Sequence, residues 1–204
     1  HDQVPEPMLA RAWVLPPRRE QDTVLMNLVT SLLHEGKSSR LYSELVEGRE
    51  LALNVRAGIQ PCEIASLLTL FVTLKPGAAI ADVEMALDEI IARFVAEGPT
   101  AAELARVKAR QEAQLIRGLE DVTTKGMLLA EGELYYNDPG YIERDATWIR
   151  SATAAQLRAA AQRWLTRGYH QVEVRPFGAH RTHASKVDRS AMPAVDNDLE
   201  LDLP

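Results

Sequence analysis

The sequence predicts an α+β domain, a mostly antiparallel sheet with helices packed on it. Three observations carry that expectation. Two neighbouring stretches alternate apolar residues with a period of two, two motifs of capping-box spacing open helical runs, and strand-like segments are separated by helical ones across which they must pair.

The first strand is expected over Met8 to Leu15, apolar-rich and stopped by Pro16-Pro17. From Gln21 to His34 the residues Val24, Leu25, Leu28, Val29, Leu32 and Leu33 recur at three- and four-residue steps, the stripe of a buried helix face, and Gly36 ends it. Ser38 to Leu45 reads as a short second helix, with a serine placed to cap its first free amides and Gly48 to stop it. A long hairpin follows. Leu51, Leu53, Val55, Ala57 and Ile59 form one side of its first strand, Leu68, Leu70, Val72 and Leu74 one side of its second, and Gln60-Pro61-Cys62-Glu63 lies in the connection. These apolar sides should meet helices, while the opposite sides mix in polar residues.

Beyond Pro76-Gly77 the period becomes helical, with Ile80, Val83, Leu87, Ile90, Ile91, Phe94 and Val95 on one stripe up to Gly98-Pro99. Thr100-Ala-Ala-Glu103 has capping-box spacing and opens a helix to about Leu119; Thr153-Ala-Ala-Gln156 repeats it before Leu157, Ala160, Ala161, Trp164 and Leu165. Helices are also expected over Thr123 to Leu134 and Tyr141 to Ile149, and a closing strand over Tyr169 to Arg175, stopped by Pro176. Periodicity ends at Gly178. The expected organisation is therefore one α+β domain over 1–177 and an acidic linker or tail over 178–204.

Of the 204 residues, 46% are hydrophobic and 25% charged, the balance of a soluble globular chain. A net charge of −6 and the lack of a basic patch argue against nucleic acid as a partner. The longest apolar stretch, Ala65 to Leu74, is interrupted by Ser66, Thr69 and Thr73, so no membrane span is expected. The start at His1 and the lack of a signal-peptide pattern suggest a piece of a longer polypeptide, with any targeting signal outside it and the compartment open.

Chemistry is sparse. The histidines are His1, His34, His170, His180 and His183; only the last two are close in sequence, inside the expected tail, and no zinc-binding pair lies on a helix. His34 reads as a helix-end residue facing free carbonyls, and His170 as a surface residue of a strand. Cys62, the one cysteine, has no histidine nearby in sequence, and Ser38 and Ser39 lack a nucleophile elbow and read as caps. Glu84, Asp88 and Glu89 read as a solvated helix face, and no phosphate-cradling glycine loop occurs. No catalytic, metal or cofactor-binding residue is assigned.

The block Leu32-Leu33-His34-Glu35-Gly36-Lys37-Ser38-Ser39-Arg40-Leu41, continuing through Leu45 to Arg49-Glu50-Leu51-Ala52, resembles the second, non-zinc-binding domain of the insulinase and pitrilysin family of zinc metallopeptidases. Ser38, Ser39, Arg40 and Leu41 form its structural motif, and Ala160-Ala161-Gln162-Arg163-Trp164-Leu165 resembles that domain's last helix. The resemblance implies a metallopeptidase-domain-like sandwich, several of which pair into halves that close around an unfolded peptide. It also implies zinc in another domain of the parent, held by an inverted His-x-x-Glu-His helix that this segment lacks. Active relatives often supply an arginine and a tyrosine, seven residues apart, to hold substrate and oxyanion. Alignment on Leu45 and Leu51-Ala52 places Val46 and Leu53 at those positions, and neither side chain donates a hydrogen bond. Arg49 falls at the family's arginine before the Leu-Ala pair, with a loop ion pair as the equal alternative.

The implied function is a non-catalytic domain of a zinc-dependent endopeptidase, forming part of a chamber around peptide substrate. The alternative is a silent scaffold subunit related to the same family. Implied partners are companion peptidase domains in the same chain or a paired subunit.

Overall fold

The structure, a computed structural model, describes residues 6–176. The strands Met8–Leu15 (β1), Ala52–Gln60 (β2), Ser66–Leu74 (β3) and His170–Val174 (β4) form one sheet in the order β2-β3-β1-β4, every neighbouring pair antiparallel. β1 is central: it pairs with β3 from Met8 opposite Thr73 to Leu15 opposite Ser66, and with β4 from Met8 opposite Val174 to Ala12 opposite His170. The helices are Gln21–His34 (α1), Arg40–Tyr42 (α2), Ile80–Glu97 (α3), Ala101–Glu120 (α4), Val122–Glu131 (α5), Tyr141–Ser151 (α6) and Ala154–Leu165 (α7). The α+β architecture is thus the one the alternating periods predict.

The core fills one side of the sheet. Leu9, Trp13 and Leu15 of β1 and Leu68, Leu70, Val72 and Leu74 of β3 pack with Leu28, Val29 and Leu32 of α1, Leu87, Ile90 and Phe94 of α3, and Leu157 of α7. Leu70 and Val72 are buried, as the alternation requires. On the opposite side Val14, Phe71 and Val172 are exposed, so among the described residues one sheet face is uncovered. Both capping boxes form: Thr100 N–H donates to Glu103 Oε2 at 2.7 Å and Glu103 N–H to Thr100 Oγ1 at 3.2 Å, and Thr153 and Gln156 repeat the exchange.

Four expectations need correction. Leu53 does not face the helices: Ala52 pairs with Leu74 but Asn54 with Thr73, so a β-bulge inserts one residue, Ala52 and Val55 stay inward, and Leu53 turns out, 48% exposed. The second helix starts at Arg40 and passes into a π-helical turn, Ser43–Gly48, because its amides reach one residue further back, as in Arg49 N–H to Glu44 O at 2.7 Å. The helix expected to Leu134 likewise ends at Glu131 and continues as a π-helical turn, Gly132–Tyr136. Finally, Glu84, Asp88 and Glu89 are not only a solvated face. Asp88 pairs with the buried Arg11 of β1 at 2.5 Å, Glu89 with Arg49 at 2.6 Å, and Glu84 accepts from Gln171.

The acidic segment 178–204, with His180 and His183, lies outside the described residues, as does His1.

Candidate functional site

The segment from Ser38 to Leu53 carries every site position read from the sequence, and the fold pins it from three directions. Arg40 anchors it. Its Nε donates to Glu103 Oε1 at 3.0 Å and its Nη2 to Glu103 Oε2 at 2.9 Å and to Gly98 O at 2.8 Å, while the guanidinium lies 4.9 Å from the Phe94 ring centre. A planar fork matched to a carboxylate fixes direction as well as distance. The Arg40 guanidinium also holds the Glu103 carboxyl far below the usual carboxylate range, at about 2, against the desolvation that opposes it. Leu41 and Leu45 enter the core beside this pair.

Ser38 and Ser39 do not act as the caps their spacing suggested. Ser39 has the extended backbone of an N-cap residue, yet its side chain makes no capping bond, and its buried Oγ has no hydrogen-bond partner among the described residues. Ser38 is exposed and offers only its carbonyl, to Arg106 at 3.4 Å. What starts this turn is the Arg40 ion pair together with burial of Leu41, rather than a hydroxyl.

Val46 sits in the π-helical turn, half-buried against the core, and Leu53 occupies the bulge at the entry to β2. Leu51 N–H donates to Leu45 O at 2.9 Å and so closes the turn back onto the strand that carries Leu53. Both side chains are aliphatic, so these two positions provide no donor to a developing negative charge. Arg49 pairs with Glu89 at 2.6 Å and lies 3.7 Å from Glu44, which also accepts from Arg93. Glu50 adopts φ of +53° and pairs with Lys75, which holds its carboxyl below the ordinary value. Arg40, Glu44, Arg49 and Glu50 are thus engaged in pairs within the domain.

Metal chemistry finds no fit here. Among the described residues no group of three or more His, Cys, Asp or Glu side chains is placed to hold a metal ion. His34 Nδ1 is hydrogen-bonded to Thr30 O at 2.8 Å at the end of α1, and His170 is exposed on β4. Cys62 is half-buried in the hairpin connection.

Two arginines escaped the sequence reading. Arg11 had a signal, because it shares the inward phase of β1 with Leu9, Trp13 and Leu15, where a charge needs a partner. Arg18, following Pro16-Pro17, carried no periodic mark at all.

A single antiparallel sheet with helices packed on one face and, among the described residues, the other face bare defines the class of fold, a two-layer α+β domain. The family model described as the peptidase M16 inactive domain matches residues 1–111, just over half of the chain, and the chain belongs to that family. It is 29% identical over 157 residues to an uncharacterized zinc protease of Mycobacterium leprae, a match covering 77% of this chain and 35% of that relative. A relative of the same description from Mycobacterium bovis is 27% identical over 157 residues, covering 77% and 36%. The chain therefore spans about a third of the curated relatives it matches. Among solved structures, a protease from Helicobacter pylori superposes with a TM-score of 0.79 at 23% identity, covering 86% of this chain and 42% of that one. An inactive peptidase domain from Bordetella parapertussis gives 0.76 at 21% identity, covering 86% and 94%. At these identities the structural likeness shows the fold.

Proposed function

We propose that this domain is a non-catalytic wall of a zinc-dependent endopeptidase, enclosing peptide substrate together with companion domains that carry the metal. The observation that carries the reading is the uncovered sheet face. Val14, Phe71 and Val172 are exposed there, and Gly58 leaves a depression of about 460 Å³ bordered by Met8, Arg56, Thr69 and Phe71. A sheet surface that exposes Val14, Phe71 and Val172 suits contact with another chain better than contact with water. The sheet ends, among the described residues, at β2 and β4, whose free edges suit main-chain pairing with an extended peptide. In this reading Val46 and Leu53 stand where active relatives use an arginine and a tyrosine, so this domain shapes the cavity without stabilising the oxyanion.

The test compares the 204-residue chain with its full parent. The isolated chain should hold no stoichiometric zinc and cleave no unfolded peptide, whereas the parent should do both. Phe71→Glu in the parent should lower kcat/KM for peptide while leaving zinc content unchanged. Tight zinc and chelator-sensitive cleavage by the isolated chain would overturn the reading, as would full activity in the Phe71 variant.

A further inference from the structure

At the corner where the hairpin connection meets α1, α5 and α6, one arginine is left short of partners. The Arg18 side chain is 10% exposed, its Nε is buried without a hydrogen-bond partner among the described residues, and its ion pair with Glu131 is long at 3.7 Å. A guanidinium carries five donors, and burying them unsatisfied is costly. Yet its place is firmly built. The group lies 4.2 Å from the Tyr135 ring centre and 5.7 Å from that of Tyr136, Tyr136 stacks on Tyr141 at 4.2 Å, and Tyr136 Oη donates to Arg18 O at 3.3 Å. Arg18 N–H also donates to Cys62 O at 2.9 Å, tying the backbone to the hairpin connection.

Arg18 lines a cavity of about 240 Å³. Val24, Ile59, Pro61 and Ile149 give it apolar walls, and Tyr141 and the exposed Asn27 add polar groups. Two acids are also present, but Asp145 is engaged by Arg144 at 3.0 Å, and Glu131 is 40% exposed. Tyr135 lies against the guanidinium at 4.2 Å, and its donors face only the long Glu131 contact at 3.7 Å, so the fork that pairs arginine with carboxylates is not filled from within the domain.

We infer that this corner is a binding site for a carboxylate on an apolar peptide, received end-on by Arg18 with the apolar body against Val24, Ile59 and Ile149. The carboxylate is either a peptide C-terminus or an acidic side chain, since both present the same two oxygens. Burial pushes the Tyr141 phenol up to about 12, so it remains a donor at neutral pH. The site does not depend on what covers the uncovered sheet face.

Three probes test it on the 204-residue chain: an N-acetylated apolar pentapeptide with a free C-terminal carboxylate, its C-terminal amide, and that amide carrying one internal glutamate. Binding is read from the Arg18 Nε–H cross-peak in ¹⁵N–¹H spectra. At least one carboxylate peptide should shift that peak saturably and bind at least about tenfold tighter than the plain amide; which of the two does so identifies chain end or side chain. Arg18→Gln should abolish binding. Because that change also removes a stacked side chain, Asn27→Asp at the exposed rim is the second variant, and its added negative charge should weaken the same peptide several-fold with an unaltered unfolding transition. Equal affinity for acid and amide, no shift of the Arg18 peak with any probe, or undiminished binding in Asn27→Asp overturns the assignment.

Discussion

Arg40 and Glu103, 63 residues apart in the chain, meet in a two-point ion pair at 2.9 and 3.0 Å that joins the loop bearing Val46 to the first turn of α4. Glu103 serves two ends at once, because the same carboxylate closes the capping box with Thr100 N–H at 2.7 Å. A local helix-start signal and a long-range loop anchor thus share one side chain. The loop's position depends on α4 beginning where it does.

That sharing sets a pH dependence. The folded pKa of Glu103, about 2, lies below the ordinary 4.5, chiefly through Arg40, so its stabilisation is complete above about pH 4.5 and is lost as pH falls towards 2. Glu103→Gln keeps a capping-box side chain but removes the charge. At pH 7 it should cost about 1 to 2 kcal/mol after allowance for partial solvent screening. Urea midpoints of wild type and variant should converge as pH approaches 2; a gap that stays constant from pH 7 to 2 would refute the ionic contribution.

The bulge at Leu53 makes an opposite pair of expectations on adjacent strands. Leu70→Ala removes a buried side chain from β3 and should cost roughly 2 to 4 kcal/mol, transfer energy plus a residual cavity. Leu53→Ser changes a side chain turned to solvent and should stay within about 0.5 kcal/mol. Chemical denaturation of the two variants decides it, and a large loss at Leu53 would mean that no bulge separates Ala52 from Asn54.

What was legible in the sequence follows the range of the interactions involved. The stripe from Val24 to Leu33, the alternation through Leu70 and Val72, and the Thr100 and Thr153 boxes each involve residues a few positions apart, so spacing alone reveals them. The bulge at Leu53 is set by which residues of β3 it faces, and period two run straight through it predicts the wrong side. Ser39 shows the same limit: its spacing suits a cap, but the Arg40–Glu103 pair and Leu41 burial fix the turn without its hydroxyl. Site positions Val46 and Leu53 came from family resemblance, while Arg18 is marked only by tyrosines over a hundred residues away.

Gly132 provides a steric test of the second π-helical turn. A Cβ there would stand 2.7 Å from Asp138 O and 2.9 Å from both the Pro139 Cα and the Tyr141 ring. Its backbone is ordinary right-handed helix, so the demand for glycine is one of space and not of φ. Gly132→Ala should cost about 1 to 3 kcal/mol and weaken the near-ultraviolet circular dichroism of the Tyr136–Tyr141 stack. An unchanged melting temperature and spectrum would show that the contact relaxes freely.

Arg11 and Asp88 predict an asymmetry. The arginine side chain is 1% exposed and its partner 58%, and Arg11 Nε also donates to Gln171 Oε1 at 2.8 Å while the group lies 4.3 Å from the Tyr169 ring centre. Removing the acid strands a buried cation, a costly state moderated here because water reaches the Asp88 side; Asp88→Ala should therefore lose about 1 to 3 kcal/mol. Removing the cation leaves only the half-buried Gln171 Oε1 without its donor, because Asp88 returns to solvent and an unbranched apolar side chain can follow the arginine stem into the core. Arg11→Met should accordingly lie within about 1 kcal/mol of wild type. Equilibrium unfolding of both variants at neutral pH measures the difference. If Arg11→Met is the more damaging, the arginine is held for its hydrogen bonds to β4, and the polar clip joining α3 to the sheet's edge stabilises the fold more than an apolar replacement would.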